Sequence, residues 1–268
     1  VTHALLAAKS GWGKSWFAQL YIEHNIENVD YALVLDYCDE YQGIADAGMA
    51  KWMGVGDQEA DVSTAGWRGL LEDNEKLILA RKGLLQEEWR EVCANAIKAA
   101  RDLADADSET TVLIVIDESH FVAQQQGAYP DVIKGVSTTG RGEGVSSIWV
   151  TQRPAELDKT IIGNMMMFIL GGFGYEGDRN QIEGYIGYNV DAHDPSLSHV
   201  SGLPEALHVD GKPIPLRKFT EGEGDDEHLV GSEFIRSDDA GNFERVDTRE
   251  KSMQTTHHGN EGHNIENP

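Results

Sequence analysis

The chain has 268 residues, 46 acidic against 22 basic, and a formal net charge of −24. That length suits one large α/β domain with or without a tail, and two cysteines without metal-ligand spacing, Cys38 and Cys93, argue against a disulfide or zinc scaffold. No apolar run approaches the ~20 residues of a membrane span, Thr2–Ala8 lacks the basic flank of a secretory leader, and the acidity opposes broad nucleic-acid binding at low salt, though not a few basic loops inside a ring pore.

In chain order, Thr2–Ala7 reads as a short apolar strand, followed by a glycine-containing turn. A helix is expected from Lys14 to about Asn25, with Phe17, Leu20, Tyr21 and His24 near one face. Tyr31–Leu35 is a second strand, ending at Asp36. Residues 42–82 read as loops and short turns, with Ser63 able to cap a short helix through Leu70. From 84 to 104, Leu85, Trp89, Val92, Cys93, Ala96, Ile97, Ala100 and Leu103 recur at helical spacing, with Glu87, Arg90, Lys98 and Arg101 on the polar side. The continuous run Thr111–Ile116 suits a strand buried on both faces. It ends at Asp117-Glu118. A helix over 130–139, a turn at "GRGEG", a strand Ser146–Val150 ending in "TQRP", a short helix over 155–163, a strand in "MMMFILGGF" and a helix in "EGDRNQIEGYIG" complete the pattern. This alternation predicts an α/β fold with a parallel sheet. Composition divides the chain into a core of 1–219, an acidic extension of 220–249 with a hairpin around Ala240-Gly241, and a disordered tail of 250–268. In that tail His257, His258 and His263 read as solvated.

The stretch "AAKSGWGKSWF" carries the first chemistry. Ala8–Ser15 fits a phosphate loop, with Ala in place of the usual first glycine. Ser10, Gly11, Trp12, Gly13, Lys14, Ser15 and Trp16 are the candidate nucleotide contacts. Gly11 and Gly13 let backbone N–H groups converge on phosphate oxygens, Lys14 reaches the β- and γ-phosphates, and the Ser15 hydroxyl ligates Mg²⁺. Trp12 or Trp16 can stack on a base or pack in the core. ATP and Mg²⁺ are the expected cofactors. Asp117 and Glu118 follow an apolar strand and so reach the sheet's C-terminal edge beside the loop. Asp117 suits the metal ion, through water, and Glu118 suits polarising the attacking water. Gln152 ends the next strand, where an amide can bond the γ-phosphate or that water. Arg141 stands in a glycine-flanked turn, where a ring ATPase would offer it to a neighbour's γ-phosphate. Arg153 and Arg179 compete for that role.

The motifs "AKSGWGKS", "LDYCDEY", "LIVIDESH", "GRGEGVSSIWVTQRP" and "GLPEALHVDGKPIP" occur in the order found in the FtsK–HerA superfamily of DNA-pumping ATPases, which the chain resembles over about residues 1–218. The resemblance implies a RecA-like P-loop NTPase core, with a mainly parallel central sheet flanked by helices. It implies a homo-oligomeric ring, usually a hexamer, that moves double-stranded DNA through a central pore. It would make Glu118 the catalytic base, Gln152 the sensor and Arg141 a finger acting on the adjacent subunit. Asp36 and Glu40 match the family's acidic motif, with a catalytic or a structural role open. A chain that begins at the first strand is similar to the compact genome-packaging ATPases of membrane-containing icosahedral viruses. The acidic composition, expected of a protein working in high salt, points to a haloarchaeal virus. On that reading the protein acts in the host cytoplasm and at a packaging vertex, where it would meet a capsid-vertex or membrane protein. A cellular HerA-like ATPase of repair or plasmid transfer, and a virion-morphogenesis ATPase, are the rival readings.

Overall fold

Short apolar runs alternate with amphipathic ones, and the computed structural model turns each run of the first kind into a strand of one sheet. Residues 2–222 and 227–259 are described; His263 lies outside them. In chain order the elements are β1 (His3–Ala7), α1 (Lys14–Ile26), β2 (Tyr31–Asp36), α2 (Gln42–Asp46), β3 (Lys51–Val55) and α3 (Thr64–Asn74). Then come β4 (Lys76–Arg81), α4 (Gln86–Ala106), β5 (Val112–Ile116), α5 (Ser119–Val122), α6 (Asp131–Thr138) and β6 (Val145–Thr151). The last are α7 (Lys159–Ile162), β7 (Met167–Leu170), α8 (Glu176–Glu183), β8 (Lys218–Glu221), β9 (His228–Asp238) and β10 (Phe243–Asp247).

The sheet runs β10-β9-β7-β1-β6-β5-β2-β4-β3, with β8 added to one end of β9. From β7 to β3 every pairing is parallel, as expected where crossover helices cover the faces. β1 sits between β6 and β7, with Leu5 opposite both Trp149 and Phe168. The strands at the centre are buried throughout: every residue of β1 and β5 is core. This register brings the loop after β1, the Asp117-Glu118 step after β5 and Gln152 after β6 to one edge.

Two strands lie inside the segment read as loops. β4, "KLILAR", is a short apolar run with no period to separate it from a helix or loop, and β3 is an edge strand with one buried residue. Ser63 does cap the intervening helix, accepting from the Gly66 N–H at 3.3 Å, and that helix runs on to Asn74. The helix from 84 to 104 is α4, shifted by two residues, with Leu85 exposed before it. Arg90, assigned to its polar side, is instead buried and donates to the Phe121 carbonyl at 3.0 Å.

The C-terminal third departs most from expectation. The hairpin around Ala240-Gly241 forms, but it is no appendage: β9 pairs antiparallel with β7 and buries Phe234 and Ile235 completely. The Phe234 ring lies 4.6 Å from that of Phe17 on α1, centroid to centroid. Residues 251–259 lie along α1, in place of the solvated tail that their polarity suggested. α1 is therefore enclosed on more than one face, with Gln19 and Glu23 buried beside the apolar residues and His24 exposed.

A buried charge cluster fastens the hairpin. Glu233 is 2% exposed and accepts from Arg217 and Arg245, each at 2.6 Å. Burial alone would push its pKa up; the two guanidiniums outweigh burial and hold it below the usual glutamate range. Its charge therefore contributes stability that is present above that range and is lost as pH falls through the folded pKa. Glu233→Gln is expected to cost about 3–5 kcal/mol near neutrality by leaving Arg245 buried without its counter-charge. The gap to wild type should narrow below about pH 4, as followed by chemical denaturation across pH. Phe234→Ala is expected to cost about 3–5 kcal/mol within a single cooperative transition. A main transition left unmoved would make the hairpin an independent unit.

Candidate active site

The turn after β1 is shaped by glycine. Gly11 and Gly13 have φ of 69° and 80°, a left-handed region that a side chain disfavours, and Gly13 leads directly into α1. No acidic residue occupies the first turn of α1 and no side chain caps it, so its positive end and free N–H groups face the cavity in front. That cavity, of about 810 Å³, is lined by Ser10, Gly11, Gly13, Lys14, Ser15 and Trp16, together with Glu40, Glu118 and Gln152. The expected phosphate-loop residues other than Trp12, the second acid and the amide thus share one space.

Lys14 is buried and its ammonium lies 3.1 Å from Glu118 Oε1 and 3.8 Å from Asp117 Oδ1. Burial opposes the Lys14 charge, but the two carboxylates outweigh it and raise its pKa. Asp117 is wholly buried, and burial holds its carboxyl well above the ordinary range against the pull of Lys14. The two directions agree once the distances are weighed: Lys14 pairs with Glu118 first, and Asp117 is the less compensated acid. Asp117 Oδ1 accepts from the Tyr41 hydroxyl at 3.4 Å, while Oδ2 has no hydrogen-bond partner among the described residues. An orphaned buried carboxylate oxygen and a serine hydroxyl at the helix start are hard oxygen donors that fit Mg²⁺.

Glu118 is held in the left-handed region, φ 42° and ψ 47°, which costs a non-glycine residue about 1–2 kcal/mol. From this backbone its carboxylate meets Lys14. His120, which sequence reasoning passed over, lies beneath it: Nδ1 is 3.3 Å from Glu118 Oε2 and 3.0 Å from Thr151 Oγ1. Burial lowers the His120 pKa to about 4, so the ring is neutral near pH 7. Thr151 Oγ1 in turn accepts from the Arg153 N–H at 3.0 Å. His120, the Thr151 hydroxyl and the Arg153 N–H thus form a small network beside the second acid, whose Oε2 has no hydrogen-bond partner among the described residues. The sequence signal was a His two residues after the acid, too common to single out.

The remaining candidates divide. Asp36 is buried and accepts from the Glu40 and Tyr41 N–H groups at 3.1 and 3.0 Å, closing the turn after β2, while Glu40 lines the cavity. Burial raises the Asp36 pKa to about 6. Arg153 pairs with Glu156 at 3.3 Å and approaches Asp178 at 3.7 Å. Arg179 pairs with Asp194 at 2.9 Å. Arg141 is exposed, has no ion pair among the described residues, and stands before β6, at the opposite end of the strand from Gln152. Its turn is clamped by Arg101 of α4, which donates to both Glu143 oxygens at 2.8 and 2.6 Å and to Thr139 Oγ1 at 2.7 Å.

Trp12 does not stack on a ligand. Its ring is 1% exposed and sits on Gly171 and Gly172, where a Cβ would collide with the indole. Its Nε1 donates to the Glu233 carbonyl at 3.0 Å, and its own carbonyl accepts from Ser232 Oγ at 2.6 Å. The loop is thereby pinned to β9. Trp16 is half-buried and does line the cavity. Gly171→Ala is expected to force Trp12 off this seat at a cost of about 1–3 kcal/mol, read as a lowered denaturation midpoint. A neutral result would show that the loop's anchoring is looser than the contacts imply.

No protein-family model matches the chain, and no curated protein matches its sequence. Solved structures do share its fold. The genome packaging NTPase B204 from Sulfolobus turreted icosahedral virus 2, in complex with AMPPCP, superposes with a TM-score of 0.59 at 13% identity, covering 91% of this chain and 96% of that one. B204 of Sulfolobus turreted icosahedral virus, a DNA-packaging ATPase, gives 0.55 at 13% identity over 91% and 96%. VirB4 of Thermoanaerobacter pseudethanolicus gives 0.55 at 11% identity over 85% and 88%. The chain therefore has the fold of these proteins, a mostly parallel P-loop sheet flanked by helices, in keeping with the FtsK–HerA resemblance of its motifs.

Proposed function

We propose that the chain is the subunit of a homo-oligomeric ring ATPase that uses Mg-ATP to move double-stranded DNA, and that its cargo is a viral genome driven into a preformed capsid. One observation carries the reading: the phosphate loop, Asp117-Glu118 and Gln152 line or border a single cavity, while the uncompensated Arg141 stands at the far edge of the same sheet. A residue so placed is out of reach of its own loop, because β6 alone spans ~20 Å, but it is free to meet a neighbour.

The backbone N–H groups of the loop and the end of α1 hold the phosphate oxygens, and Lys14 exchanges its Glu118 partner for them. Glu118, released, accepts the proton of the attacking water. The Gln152 amide orients that water or the γ-phosphate. Ser15 and Asp117 would hold Mg²⁺, which supplies charge neutralisation at the β- and γ-phosphates. Arg141 of an adjacent copy adds the positive charge that the transition state needs. Membership of a packaging machine is supported by the fold shared with the packaging NTPases and by the motif order. Action in the host cytoplasm and at a virion vertex follows from that reading, as does contact with a capsid-vertex or membrane protein. The net charge suits work in concentrated salt, where phosphate contacts weaken and shape and hydrogen bonds carry more of the grip.

The test is ATP hydrolysis in multimolar KCl with and without double-stranded DNA. Wild type is expected to hydrolyse ATP faster with DNA. Glu118→Gln should still bind ATP while losing about 10²–10⁴-fold in rate, and Arg141→Ala about 10³-fold or more. Mixing these two inactive variants should restore activity, since some interfaces then join an intact site to an intact Arg141. Hydrolysis indifferent to DNA would shift the reading to a morphogenesis ATPase, and failure of the mixture would remove Arg141 from the neighbour's site.

A further inference from the structure

Glu118 has one oxygen engaged and one idle. Oε1 accepts from Lys14 at 3.1 Å, but Oε2 is buried and has no hydrogen-bond partner among the described residues. A buried polar atom left unpaired is costly, and a charged one costs most. Beside Oε2, at 3.3 Å, stands His120 Nδ1. His120 is itself 2% exposed. Its ring packs on Phe121 with centroids 4.0 Å apart, and Phe121 stacks on Tyr37 at 4.7 Å. Packing therefore fixes the imidazole where it stands, and any adjustment between the two groups falls to the glutamate.

The ring is neutral near pH 7, because burial lowers its pKa to about 4, so only one of its nitrogens carries a hydrogen. A bare lone pair on Nδ1 would face two oxygens, Glu118 Oε2 at 3.3 Å and Thr151 Oγ1 at 3.0 Å, and the first belongs to a carboxylate. The favoured tautomer therefore places the hydrogen on Nδ1. That assignment also fills the Thr151 hydroxyl oxygen, whose two lone pairs then accept from His120 and from the Arg153 N–H at 3.0 Å. In this state Thr151 holds the Nδ1–H, while Lys14 holds Glu118 by its other oxygen.

We infer that His120 is the positioning residue of Glu118: when Lys14 turns to the phosphates, the His120 Nδ1–H passes from Thr151 to Glu118 Oε2 and holds the carboxylate with Oε1 left for the water. The inference rests on the proposed function, in which Lys14 gives up Glu118 for the nucleotide. The exchange asks for little movement. Nδ1 and Oε2 are already 3.3 Å apart, and the carboxylate turns about its own side-chain bonds while the ring stays packed. Without it, the departure of Lys14 would leave a buried carboxylate with neither a cation nor a hydrogen bond. A neutral donor orients that carboxylate while depressing its basicity less than an ammonium does, as a general base requires.

The test compares His120→Leu with His120→Asn. The two side chains share one branched shape and differ in the N–H that Asn alone carries near the Nδ1 position. ATP hydrolysis in multimolar KCl is measured together with calorimetric ATP binding and the denaturation midpoint. His120→Leu is expected to lower kcat about 10- to 100-fold, the worth of a hydrogen bond to a charged group, with the Kd for ATP within about 3-fold of wild type. His120→Asn should recover about 5-fold or more of that loss. In the Glu118→Gln background the Leu and Asn substitutions should give equal rates, since the carboxylate through which they act is gone. Equal losses in the two variants, or the same gap between them without the carboxylate, overturn the inference and leave the proposed function standing. If the H120L protein does not fold, H120N against H120Q makes the same comparison, because Gln carries its amide one bond beyond the Nδ1 position. If wild type fails to hydrolyse ATP, or Glu118→Gln costs nothing, the proposed function itself fails and takes the inference with it.

Discussion

The burial of one ammonium between two carboxylates organises this molecule's working edge. Lys14, Asp117 and Glu118 come from the ends of two strands separated only by β6. Three ionisable groups out of water would be costly if left alone. Their positions hold because β1, β5 and β6 are wholly internal and parallel, so that their C-terminal ends emerge together. The strained backbone at Glu118 and the neutral His120 below it are secondary adjustments to the same constraint. Glu118 meets Lys14 through one oxygen, and each acid keeps a second oxygen without a hydrogen-bond partner among the described residues.

The second organising feature is that the C-terminal residues are structural. Trp12 bonds to β9 through its indole and its carbonyl, and Glu233, whose carbonyl receives that indole, is itself neutralised by Arg217 and Arg245. The phosphate loop thus rests on a strand more than two hundred residues away in sequence. Residues 251–259 then continue over α1 through Glu23 and Gln19. Both ends of the described chain meet at the same cavity, one supplying the loop and the other a wall.

Much of this was legible. The apolar runs of β1, β2, β5, β6 and β7 declared a parallel sheet, because a strand buried on both faces has no polar alternation to disguise it. The phosphate loop announced itself through glycine spacing, and the acid pair through its place at a strand end. What stayed hidden lacked a local signal. β4 is too short and uniform to reveal its period, and β3 is an edge strand with polar neighbours. Residues 251–259 read as disordered because their stability resides in partners on α1. Those partners, Gln19 and Glu23, are two polar residues four apart on a helix, with nothing in the local sequence to mark them as buried. Nor could composition reveal that Trp12 has no room to turn toward a ligand, since that follows from Gly171 and Gly172 across the sheet.

The polarity of the sheet has a consequence for symmetry. Parallel strands give the domain two unlike rims, one bearing the cavity and the other bearing Arg141 on the turn that Arg101 and Glu143 clamp. If one rim completes the other, copies must join head to tail, each with a different face from the one it receives. Such contacts are heterologous, so they close into a ring or run on as a filament. A two-fold dimer would pair like with like and leave both cavities without a partner arginine. The handedness and closure of the assembly would then be set by the angle between two unlike rims, a quantity fixed within each subunit by the twist of its own sheet.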